Sequence, residues 1–92
     1  MKVEKRSKFE IYFDILQLLC DEIREGNKPS PTRVAHKANL PYDRFQSCLD
    51  HLNRLGMVSR EGGKLVVTKK GLEYVQEYER MTDFLRRMEL LP

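Results

Sequence analysis

Between Ser30 and Thr68 the chain passes, with no residues to spare, through two short helical segments, a corner and two strand-like segments. SPTRVAHKA begins with Ser30, whose oxygen can accept a free N–H, and Pro31, whose backbone angle is preset for a first turn. Val34, Ala35 and Ala38 mark its apolar side, and Arg33, His36 and Lys37 its polar side. Asn39, Leu40 and Pro41 make a corner. A second segment, Tyr42 to Leu55, places Phe45, Cys48, Leu49, Leu52 and Leu55 on one helical face, with Tyr42 at its edge. Gly56 ends it. Met57 to Glu61 and Lys64 to Thr68 then read as strands about Gly62 and Gly63, a turn whose positive backbone angles glycine adopts at little cost.

A helix flanks this block on each side. Ser7 with Glu10 has the spacing of a capping box, and from Phe9 to Glu25 the apolar residues Phe9, Tyr12, Phe13, Leu16, Leu19, Cys20 and Ile23 recur three or four apart. Ile11, Ile15 and Leu18 widen the stripe, so this helix is expected to be buried on more than one side. Gly26, Asn27 and Pro29 stop it. After Thr68, an N-cap, a last helix is expected to run almost to the C-terminus. Its residues Tyr74, Tyr78, Met81, Leu85 and Met88 are spaced four, three, four and three apart, as in a coiled-coil seam, with Leu72, Val75 and Phe84 at the borders. The near end of this seam can fold onto the first helix. The far end has no partner left in the chain, and a second copy of the same helix is the simplest one. Lys69 and Lys70 stand in the first turn, where the macrodipole disfavours positive charge; they are either solvated lysines or a phosphate site at a helix N-terminus.

The order of elements is that of a winged helix-turn-helix: a mainly α fold with a β wing and a long C-terminal helix whose far end is expected to pair with a second copy. Residues 1–70 are assigned to the winged domain with its basic N-terminal arm, and residues 71–92 to dimerisation. At 92 residues there is material for one domain, whose small core dimerisation would extend. Seventeen Lys and Arg against fourteen Asp and Glu leave a net charge of +3, a mild push toward nucleic acid. No apolar run is long enough to cross a bilayer, and none follows the N-terminal charges as in a cleavable signal, so the cytoplasm, on the nucleoid if DNA is the partner, is the expected location.

Three separated segments, KRSKFEIYFDIL at the start, HKANLPYDRF at the corner and LVVTKKGLEYVQEYE after the wing, carry a resemblance to one family. The chain, from Lys5 to about Leu85, resembles the small dimeric winged-helix DNA-binding proteins of Crenarchaeota, ten-kilodalton nucleoid proteins and their relatives described as predicted transcriptional regulators. The resemblance implies an elongated homodimer, joined by an antiparallel coiled coil of the last helices, that binds and organises double-stranded DNA through a winged domain at each end.

The residues expected to meet DNA are Lys5, Arg6 and Lys8 of the arm, which also holds Lys2 and Glu4, then Arg33 and Lys37, Arg44, Ser47 and Arg54 on the third helix, and Arg60 and Lys64 on the wing. On the outward face of the third helix Asp43 and Asp50 stand beside Arg44 and Arg54, flanked by Gln46 and His51. Two readings stay open. Asp can accept from cytosine and Arg can read guanine bidentately, or the four charges pair along the helix surface and the helix touches DNA only in part. Most affinity is accordingly placed on phosphate contacts. Dimerisation is assigned to Tyr74, Tyr78, Met81, Leu85 and Met88.

The competing function is a winged-helix docking or dimerisation module that binds protein and not DNA, a reading the acidic residues of the third helix favour slightly. An enzyme is not expected, because no nucleophile and base stand at motif spacing and no phosphate-cradling loop is present. Cys20 and Cys48 read as small core side chains in a reducing compartment. Cys48, His51 and His36 could be imagined around a metal, but no paired-ligand spacing supports it. No cofactor, metal, membrane or small-molecule substrate is therefore expected.

Overall fold

A computed structural model describes residues 5–91; Lys2 and Glu4 of the basic arm lie outside the described residues. The elements follow in the expected order: α1 (Lys8–Arg24), α2 (Pro31–Lys37), α3 (Tyr42–Arg54), β1 (Val58–Glu61), β2 (Lys64–Val67) and α4 (Lys69–Arg87). The fold is mainly helical with one two-stranded antiparallel sheet.

Local chemistry sets each boundary. Ser7 Oγ accepts the Glu10 N–H at 3.2 Å while Glu10 reaches back to the Ser7 N–H, which completes the capping box of α1. Ser30 Oγ accepts from Arg33 N–H, and Thr68 Oγ1 from Gly71 N–H, at the starts of α2 and α4. All four helices end alike: the residue after the C-cap takes a positive φ, and the next N–H bonds a carbonyl five residues back. Glycine fills that place after α1 and α3. Asn39 (φ 59°) fills it at the corner after α2, and Glu89 (φ 59°) after α4.

The wing has Arg60 opposite Leu65 and Glu61 opposite Lys64, closed by Gly62 and Gly63 with φ of 58° and 77°. Both angles are positive, as a tight I′ turn needs to match the twist of its strands.

Ile11, Ile15, Leu16 and Leu19 of α1, Val34 of α2, Phe45, Leu49 and Leu52 of α3, Val58 and Leu65 of the wing and Val75 of α4 form one core. The centre of the α1 stripe differs from the sequence expectation. Ile11 and Ile15 are fully buried, whereas Phe9 (61% exposed) and Ile23 lie on the surface. With apolar residues around most of the helix, spacing alone allows several faces, and the packing of α2, β2 and α4 selects one.

Gly71 marks where α4 meets the wing. A Cβ there would stand 2.3 Å from the Met57 carbonyl oxygen and 2.7 Å from Val67 Cγ1, so only glycine fits this approach. Beside it, Lys70 Nζ donates to the Leu55 carbonyl at 2.6 Å, and Thr68 Oγ1 donates to Gly56 O. The charge that seemed misplaced at the start of α4 therefore sits at the negative C-terminal end of α3. Lys70 remains exposed, as a solvated lysine is, but its ammonium group also bonds a protein carbonyl.

Candidate nucleic-acid interface

Because α3 turns Phe45, Leu49 and Leu52 into the core, its opposite face is presented outward: Asp43, Arg44, Ser47, Asp50 and Arg54 are all exposed. Asp43, Arg44, Ser47 and Arg54 line an open groove of about 560 Å³ with Cys48, His51 and the edge of Tyr12 from α1. None of the four charged side chains on this face forms an ion pair among the described residues. Elsewhere three pairs one helical turn apart do form: Arg24 with Asp21, Arg80 with Glu77 and Arg86 with Asp83. Asp50 and Arg54 have the i,i+4 order that would permit pairing. Pairing along the helix surface, one of the two sequence readings, is not what these four residues do.

The other expected DNA contacts divide sharply. Lys5, Lys8, Arg60 and Lys64 are exposed and form no ion pair among the described residues. On the wing, Arg60 and Lys64 belong to opposite faces of the ribbon, since Arg60 is level with Leu65 and Lys64 with Glu61. They are not one patch. Arg6 turns inward instead: Nη1 meets Asp14 at 2.8 Å and Nη2 donates to the Ala38 carbonyl at 2.8 Å, tying the start of α1 to the end of α2. Arg33 and Lys37 converge on Glu22, Arg33 Nε at 2.5 Å and Lys37 Nζ at 3.8 Å. Arg33 also donates to the Lys28 carbonyl.

Glu22 is only 2% exposed, and Asn27 donates to it as well. The hydrogen bond from Arg33, chiefly, holds its carboxyl below the usual carboxylate range against the opposing effect of burial. The sequence carried a signal for it: Glu22 lies three residues after Leu19 and seven after Ile15, an acid in the buried row of α1.

Tyr12 and His51 form a second contact not anticipated. The Tyr12 hydroxyl lies 2.5 Å from His51 Nδ1, and the rings meet edge to face with centroids 5.5 Å apart. Burial raises the Tyr12 hydroxyl above the ordinary tyrosine value. Cys20 and Cys48 are free, half-buried thiols, both pushed up by burial. No group of three metal-ligating side chains occurs among the described residues, and no described helix is long and apolar enough to cross a membrane.

The proposed dimer residues split in two. Tyr78 stacks on Phe13 of α1 with ring centroids 4.5 Å apart, and the Tyr74 hydroxyl donates to the Phe9 carbonyl at 2.6 Å. Leu85 is half-buried. Met81 (50% exposed), Phe84 (49%) and Met88 (52%) form an outward strip at helical spacing. Phe84, placed at the border by the sequence, belongs to this strip.

Two helices about a tight corner, an outward third helix and a glycine-turned hairpin define a winged helix-turn-helix protein, and the family model of that description matches residues 5–86. The chain belongs to the winged helix-turn-helix family, whose members are generally DNA-binding domains without enzymatic activity. It is similar to an uncharacterized protein, MJ0287, of the archaeon Methanocaldococcus jannaschii, at 34% identity over 76 residues that cover 82% of this chain and 73% of the relative.

Proposed function

We propose that the chain binds double-stranded DNA as a two-headed homodimer and serves as a chromatin organiser or transcription regulator of the kind found in the small archaeal winged-helix proteins. The observation that carries this reading is the outward face of α3, where Asp43, Arg44, Asp50 and Arg54 are exposed and form no ion pair among the described residues. Unpaired arginines can bind phosphate or guanine; unpaired carboxylates can accept from cytosine. Lys5, Lys8, Arg60 and Lys64 supply further sequence-independent contacts to phosphates. Arg6, Arg33 and Lys37 contribute less, because their charge is already matched by Asp14 and Glu22.

The second copy is assigned to the strip Met81, Phe84 and Met88, continued by Leu85. Burying one Phe or Met side chain stabilises by roughly 1.5–3 kcal/mol, and a symmetric interface buries each twice.

A titration of random-sequence duplex across a salt series tests the DNA reading: log affinity falls linearly with log salt, with a slope of about 0.9 per phosphate contacted. Absence of binding at moderate salt refutes it. Sedimentation tests the dimer. Phe84→Asp is expected to leave a folded monomer whose DNA affinity falls through loss of the linked second head; a wild-type monomer removes the dimer from the proposal.

A further inference from the structure

Tyr12 belongs to the core helix α1, is 7% exposed, and sends its hydroxyl through the packed interior to the edge of the groove on α3. There it meets His51 Nδ1 at 2.5 Å, and among the described residues the hydroxyl has no other partner. A tyrosine hydroxyl has one proton to give. If Nδ1 carried the imidazole proton, the hydroxyl could accept it, but its own proton would be left without a protein acceptor in a mostly buried position. The arrangement that satisfies both groups has the hydroxyl donating to a bare Nδ1, which leaves the proton of a neutral imidazole on Nε2. The edge-to-face ring contact holds the same orientation.

His51 lies one turn after Ser47 and one turn before Arg54, in the row of Arg44 and Cys48. The groups around it in the groove are Tyr12 from α1 and Asp43, Arg44, Cys48 and Arg54 from α3. With Nδ1 held by Tyr12, Nε2 is the nitrogen left for the groove, on the face presented to DNA.

We propose that His51 reads an acceptor on the major-groove edge of a base through Nε2–H, and that Tyr12 is the positioning residue that fixes this tautomer. The inference rests on the DNA-binding reading above. It adds a neutral donor to the charged side chains of α3, and the acceptors it fits are guanine N7 or O6, adenine N7 and thymine O4. Specificity at one base pair then depends on a residue of the core that never touches DNA.

The test has two arms. Without DNA, imidazole ¹⁵N shifts report the tautomer: wild type is expected to show a protonated Nε2 on His51, and Tyr12→Phe, which keeps the ring and its packing, a mixture. With DNA, a site is first recovered from a pool of random duplexes by selection on the wild type. On that site His51→Asn is expected to lose about three- to tenfold in affinity, the size of one net hydrogen bond, Tyr12→Phe about twofold as the competent tautomer is diluted, and the double variant no more than His51→Asn alone. Random duplex binding falls by less than binding to the selected site. Asn keeps an acceptor for Tyr12 but lacks the reach of Nε2, whereas His51→Gln restores a donor at that reach and should recover part of the loss.

A purely structural role for the pair predicts instead that His51→Asn binds the selected site like wild type, and that result overturns the proposal. So does a Tyr12→Phe protein with an unchanged tautomer, an equal loss on random and selected duplex, or a wild type that binds DNA but selects no site. A wild type that binds no duplex at all refutes the DNA-binding reading itself, and the readout proposal with it.

Discussion

Replacing Gly71 by alanine tests the joint on which the placement of the wing depends. Gly71 stands in the first turn of α4 with helical backbone angles, so alanine should by propensity favour the helix by at most about 1 kcal/mol. The surroundings work the other way. The new methyl would lie 2.3 Å from the Met57 carbonyl oxygen, and ordinary contact begins near 3.4 Å, so α4 and the base of the wing must separate by about 1 Å. Neither obstacle is the far end of a flexible side chain, since one is backbone and the other the branched stub of Val67. Overpacking of this kind costs about 1–3 kcal/mol. The displaced Met57 carbonyl also accepts the Thr68 N–H at 3.0 Å, and stretching that bond loses up to roughly 1 kcal/mol more. Set against the gain in propensity, the net loss is about 1–3 kcal/mol. For a domain of this size that lowers the melting temperature by roughly 5–20 °C. Thermal melts of both proteins at matched concentration measure it, and DNA binding is expected to weaken as the wing shifts. A Gly71→Ala protein as stable as wild type, or more so, would show that propensity decides at this position and that the close approach does not.

The remaining predictions concern charge. Glu22 titrates below its ordinary value because Arg33 bonds the carboxylate, so its contribution is present above the unfolded value of 4.5 and is lost as pH falls through the lower folded value. Glu22→Gln is therefore expected to destabilise at neutral pH and to flatten the acid limb of stability measured by melting from pH 7 to about 3; an acid limb of unchanged shape contradicts this. Tyr74 is pushed up to about 12, mainly by burial, so the unfolded chain ionises first and stability falls as pH rises from 10 through 12. Tyr74→Phe should reduce that alkaline loss in a denaturation series, and the tyrosinate absorbance titration should lose its latest component. Lys70→Gln removes the ammonium group from the Leu55 carbonyl and should destabilise by several tenths to about 1 kcal/mol, whereas Lys69→Gln, which has no such contact, should be neutral or slightly stabilising. Urea denaturation of the two variants settles the sign.

The order of elements was open to reading in the sequence because each boundary is written in adjacent residues. Ser7 with Glu10, Ser30 with Pro31 and Thr68 bond N–H groups three residues away, while Gly26, Asn39 and Gly56 turn the chain within one residue. The wing is similarly local, since two successive glycines specify its turn and the alternation of Val58 and Leu65 its buried side. Periodicity also identified α3 and its outward face, because core and surface residues on a short amphipathic helix separate cleanly. On α1, where apolar residues surround most of the helix, periodicity put Phe9 in the stripe that tertiary packing centres on Ile11 and Ile15. What the third dimension alone decided is which charges remain available. Arg6 reaches Asp14 and Ala38, and Arg33 and Lys37 reach Glu22, so these three basic residues expected at DNA are engaged within the chain, as is Lys70 at Leu55. Tyr12 meets His51 across 39 positions and Tyr74 meets Phe9 across 65. Spacing along a helix states which residues share a face, but a long side chain ends wherever the opposing element offers a carbonyl, carboxylate or ring nitrogen. That depends on how the helices pack, and no stretch of neighbouring residues records it.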